Sequence, residues 1–78
     1  MNLKSILKVG DEVFVDVIDS DGVSIGGVLE FYGEEYVATL GRKYITTERY
    51  GKVYKYDIET GVEITDSNEK RKLYPNYN

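Results

Sequence analysis

Six glycines punctuate this chain at an almost even beat: Gly10, Gly22, Gly33, Gly41, Gly51 and Gly61 fall eight to twelve residues apart. Each sits in a turn-forming context, such as Asp19-Ser20-Asp21-Gly22 or Thr60-Gly61. Between them there is room only for short extended segments, because an ordinary helix would need most of the interval for itself. The segments alternate apolar and polar residues with a period of two. Val13, Val15 and Val17 alternate with Phe14, Asp16 and Ile18. An all-β fold of five to six short antiparallel strands follows, occupying residues 1–78 as one domain.

The strongest alternation runs from Val23 to Tyr32. Val23, Ile25, Gly27, Leu29 and Phe31 share one side, and Ser24, Gly26, Val28, Glu30 and Tyr32 the other. Val23, Ile25, Leu29 and Phe31 are expected to face inward, since a slip of one residue would expose all four together. Gly26-Gly27 in mid-strand marks a bend or bulge of the kind that curls a sheet. Further strands are expected at Tyr36–Leu40, Tyr44–Thr47, Lys52–Ile58 and Val62–Ile64, with a last contact at Leu73-Tyr74-Pro75. Residues 66–72 read as a polar loop or mobile segment. Leu3, Ile6 and Leu7 stand at helical spacing behind a possible cap, Asn2, and suggest a short helical turn or arm at the N-terminus. At this length the economical arrangement is a small, strongly bent barrel, which leaves no exposed sheet edges.

Composition narrows the chemistry. The chain has no Cys and no His, so disulfides, thiolate metal sites and imidazole catalysis are excluded. Ten positive and 14 negative side chains give a net charge of −4, which argues against a general polyanion binder. No apolar run approaches a membrane span, and the first ten residues lack the apolar stretch of a signal peptide, so a cytoplasmic location is expected. Asp19-Ser20-Asp21-Gly22 fails as a calcium loop, because aligning it on Gly22 puts Val17 and Val28 where oxygen ligands are needed. Glu34-Glu35 with Asp16, Asp19 and Asp21 reads as solvated loop charge rather than as a catalytic carboxylate pair. An acidic face mimicking nucleic acid is a minor alternative. No phosphate loop or nucleophile elbow is present, so neither a cofactor nor catalysis is expected.

Two groups of residues remain as binding candidates. Tyrosine is heavily used, with eight in the chain and no Trp. Tyr54 and Tyr56 alternate with polar residues and are expected to face the core with hydroxyls at its rim. Tyr32, Tyr36, Tyr50 and Tyr77 fall in loops or at an end, where tyrosine suits a protein interface or ordinary packing at a barrel mouth. The second group is Arg42-Lys43-Tyr44 with Arg49, beside Tyr50 and Lys52. It joins cations to aromatics as small barrels do when they stack single-stranded nucleic acid. Turn solubility and sheet packing explain the same residues equally simply.

Val9-Gly10-Asp11-Glu12-Val13-Phe14-Val15 resembles the first strand of many SH3-like barrels, including Tudor and KOW modules, and Gly27-Val28-Leu29-Glu30-Phe31 resembles their second. More narrowly, Gly41-Arg42-Lys43-Tyr44-Ile45, Tyr56-Asp57-Ile58-Glu59-Thr60 and Lys72-Leu73-Tyr74 resemble small barrel proteins of phages and mobile elements of low-GC Gram-positive bacteria. The resemblance runs from Lys8 to Tyr74 and departs at the Tyr-rich hairpin of Tyr32–Tyr36. It implies an SH3-like barrel of phage-like origin and supplies no reaction and no catalytic residues. The expectation is therefore a non-catalytic module that binds and modulates a host or defence protein through Tyr32, Tyr36 and Tyr50. The alternative is a nucleic-acid-binding barrel using Arg42, Lys43, Tyr44 and Arg49.

Overall fold

The computed structural model describes residues 2–25 and 35–75. Within them a short 3-10 turn, Leu3–Ser5, precedes five strands: β1 (Val13–Ile18), β2 (Tyr36–Leu40), β3 (Tyr44–Arg49), β4 (Lys52–Asp57) and β5 (Lys70–Pro75). The fold is all-β, and every strand pairing is antiparallel.

Local sequence accounts for most of these elements. Asn2 caps the 3-10 turn, its side chain accepting the Lys4 N–H at 2.8 Å. Leu3 and Leu7 are buried, whereas Ile6 between them faces solvent. β2, β3 and β4 form a meander. A bulge between Val37 and Thr39 shifts the β2–β3 register, and Gly41-Arg42-Lys43 turns the chain. β3 and β4 are joined by Tyr50 and Gly51, with φ of 52° and 80°. Positive φ at both residues is what a tight two-residue hairpin requires to match the twist of its strands.

β1 and β5 form a second sheet, with Val13 opposite Pro75 and Ile18 opposite Lys70. Among the described residues the two sheets are separate and do not close into a barrel, while backbone hydrogen bonds link the segments that flank them. Val37 N–H donates to Asp11 O at 2.8 Å, and Val13 N–H to Glu35 O at 3.1 Å. On the other side, Asp57 N–H donates to Val62 O and Leu73 N–H to Gly61 O, each at 2.8 Å. Leu3, Leu7, Val13, Val37, Ile45, Tyr56, Ile58 and Leu73 form the core between the sheets, with Leu40 and Tyr54 packed against it.

Three expectations change. Val23 and Ile25 are exposed at 61% and 51%, and Ser24 between them is half-buried. The cause is Asp16, which is buried although charged, and whose Oδ1 accepts both the Val17 N–H at 2.9 Å and the Ser24 hydroxyl at 3.1 Å. A buried carboxylate needs donors, and supplying one from Ser24 turns its two neighbours outward. Gly26, Gly27, Leu29 and Phe31 lie outside the described residues. Secondly, Lys70, Arg71 and Lys72 belong to β5 rather than to a loop. Two of the three are carried against aromatic rings, Arg71 over Tyr54 and Lys72 over Tyr74, so charge does not keep them out of a strand. Thirdly, Val62–Ile64 forms isolated bridges, from Val62 to Lys72 and from Glu63 to Tyr56, rather than a full strand.

Candidate functional site

Charge is distributed unevenly between the interior and one surface. Glu35 has no solvent-exposed surface, which corrects its reading as solvated loop charge. It sits just before β2, facing β3, β4 and β5. Its Oε2 accepts the Thr47 hydroxyl at 2.8 Å and the Tyr56 hydroxyl at 2.9 Å. Its Oε1 accepts the Arg71 Nη2–H in an ion pair. Arg71 in turn lies over Tyr54, 3.7 Å from the ring centre. Burial pushes the Tyr56 hydroxyl far above the ordinary tyrosine range, while Arg71 opposes this and Glu35 adds to it. Tyr56 is thus a neutral donor, and its hydroxyl is inside rather than at the rim. With no open face, this carboxylate holds the sheets together and does not meet a substrate.

The exposed tyrosines lie elsewhere. Tyr36 opens β2 opposite Glu48, and Glu48 stands opposite Val53. These three residues form one cross-strand row on the outer face of the meander, because directly paired residues share a face. Tyr36 and Tyr50 line a single open hollow of about 490 Å³ with Val37, Ala38, Glu48 and Gly51. Tyr50 is 72% exposed, and among the described residues it alone, glycine aside, has a positive φ. The structure therefore brings Tyr36 and Tyr50 together. Tyr32 lies outside the described residues, as does Tyr77. Val53, 61% exposed, belongs to the same row. It follows Lys52 and precedes Tyr54 in the sequence, and only the cross-strand register places it beside Glu48.

The basic group divides in two. Arg42, Lys43 and Tyr44 gather at the β2–β3 turn, around a hollow of about 280 Å³ that also includes Asp57 and Glu59. Asp57 stays anionic there, because the N–H groups of Thr60 and Glu59 hold its carboxyl below the usual range. Arg49 stands at the opposite end of β3, about 16 Å along the strand from Tyr44 at ~3.3 Å per residue. It lies across from Lys52. Each cation of this hairpin is seated on a ring: Arg49 over Tyr50 at 4.8 Å, Lys52 over Tyr54 at 5.2 Å and Lys55 over Tyr44 at 4.1 Å.

The Asp19–Gly22 segment is a turn, with Asp19 Oδ1 accepting the N–H groups of Asp21 at 2.9 Å and Val23 at 3.0 Å. Among the described residues, no group of three or more acidic side chains is placed to hold a metal ion, and no helix is long and apolar enough to cross a membrane. In comparisons with known proteins, no family model matches this chain, and neither the curated proteins nor the solved structures give a match.

Proposed function

We propose that this chain is a non-catalytic binding module, an accessory protein of a phage or mobile element, that grips a host or defence protein through the face carrying Tyr36 and Tyr50. The observation that carries this reading is Tyr50 itself. It holds a large aromatic ring in solvent at a backbone conformation that costs a non-glycine residue about 1 kcal/mol or more. Asn or Gly would make the same turn more cheaply. A ring kept exposed at that position offers much contact area to a partner.

The architecture we favour is the SH3-like barrel. The isolated bridges at Glu12–Tyr36 and at Val62–Lys72 support it. The likeness of Gly41–Ile45 and Lys72–Tyr74 to small phage barrels supports the origin. The competing reading, a nucleic-acid barrel, would use Arg42, Lys43, Tyr44 and Arg49. It is weakened by the length of β3 between them and by the two carboxylates beside Arg42 and Lys43.

Capture from host lysate by the tagged chain, compared with Tyr50→Asn and Tyr36→Ser, tests the proposal. Both variants should stay folded and lose the captured protein. Equal capture by the variants would refute a tyrosine-centred interface.

A further inference from the structure

The β3–β4 hairpin concentrates positive charge in an otherwise acidic chain. From residue 49 to residue 55, Arg49, Lys52 and Lys55 stand with no acidic residue among them, a local charge of +3 within a chain of −4. At the hairpin tip, Arg49 and Lys52 are direct cross-strand partners. Like charges in that position repel each other and weaken the ladder. The same four-residue tip carries the strained Tyr50. Two locally unfavourable choices therefore coincide within one turn. Such violations of local preference are expected where a surface is shaped for something other than stability. Each tip cation is also seated on its tyrosine, which limits the side-chain freedom lost when an anion docks.

We propose that the hairpin tip receives an acidic segment of the partner protein, whose carboxylates lie between Arg49 and Lys52 while its apolar side chains meet Tyr50. This rests on the protein-binding reading above and names the chemistry of the partner. A protein segment is favoured over a nucleic acid on two grounds. The remainder of the chain carries a charge of −7, which repels a long polyanion but spares a short segment presenting a few carboxylates. In addition, cations lie over the rings of Tyr44, Tyr50 and Tyr54, with both Lys52 and Arg71 over Tyr54, which reduces the platform available for stacked bases.

The test uses the full chain and three labelled probes: a short peptide of alternating Glu and Val, its counterpart with Gln for Glu, and a short single-stranded DNA. Binding is read by fluorescence anisotropy, and the site by amide NMR shifts. The Glu peptide should bind, shift the amides of residues 49–55, and lose roughly tenfold in affinity in Lys52→Glu. That variant turns a like-charged pair into an opposite one, so its thermal midpoint should rise as its affinity falls. Arg49→Gln should weaken binding in the same direction, which guards against a folding defect in one variant. Absence of Glu-peptide binding, equal binding of the Gln peptide, tighter binding of the DNA, or undiminished affinity in Lys52→Glu would each overturn the proposal. If the Glu peptide fails while Tyr50→Asn still loses its captured protein, only the acidic specificity falls. If Tyr50→Asn keeps that protein, the protein-binding reading falls instead.

Discussion

The buried carboxylate of Glu35 and the guanidinium of Arg71, 36 residues apart in sequence, form an ion pair that joins the start of β2 to β5. Thr47 from β3 and Tyr56 from β4 complete the shell around Glu35. Removing one partner of such a pair leaves the other charged and uncompensated, which costs about 3–5 kcal/mol. Glu35→Ala should therefore take a large share of the stability of a chain this small, about 4–12 kcal/mol by length. Urea unfolding should place its midpoint far below that of the parent. Replacing both residues together, as Glu35→Leu with Arg71→Met, should cost less than the sum of the single changes. Additive losses would mean the pair is not coupled.

Tyr56 gives the chain an alkaline limit. Its folded-state pKa lies above the unfolded value of about 10. The neutral hydroxyl's contribution is thus complete below about pH 10 and drains away as pH rises beyond it, because the unfolded chain ionises first. Tyr56→Phe should remove that part of the pH dependence, and at neutral pH should cost about 1–3 kcal/mol for leaving Glu35 short of a donor. Unfolding curves at neutral and strongly alkaline pH check both effects. A parent and variant with parallel losses on alkalinisation would contradict this assignment.

Gly61, in the chain between β4 and β5, lies close against the backbone of β5. Its φ is +76°, and a Cβ there would lie 2.8 Å from the Leu73 carbonyl oxygen. That backbone also receives the Leu73 N–H at 2.8 Å. Gly61→Ala should cost upwards of 1–3 kcal/mol, combining backbone strain with displacement of β5. Gly51→Ala has a similar φ of +80° but open space around the Cβ, so it isolates the strain alone. Thermal midpoints should fall further for Gly61→Ala than for Gly51→Ala, at roughly 4–8 °C per kcal/mol.

Tyr50→Asn should separate stability from function. Asn tolerates the left-handed turn position better than Tyr, so the variant should gain up to about 1 kcal/mol in stability. Its capture of the partner should fall. A variant that is less stable than the parent would show that the ring supports the fold.

The sequence by itself determined the elements whose rules are local. Asn2 capping the first turn, the Tyr50-Gly51 reversal, and the bounds of β2 all follow from residue type and local pattern. These properties are settled within a few residues, and nothing distant opposes them. Tertiary structure decided the fate of the charges and the faces that depend on them. Glu35 looks like a loop acid until Thr47, Tyr56 and Arg71 arrive from three other strands to satisfy it. Ser24 turns inward, and Val23 and Ile25 outward, because Asp16 on β1 needs a donor. Arg71 joins a strand because Glu35 and Tyr54 receive it, although its own segment reads as a polar loop. Likewise, Arg49 and Lys52 become one feature only when β3 and β4 pair in register. A polar group's position depends on which partner can compensate its desolvation, and that partner is brought near only by the folded chain.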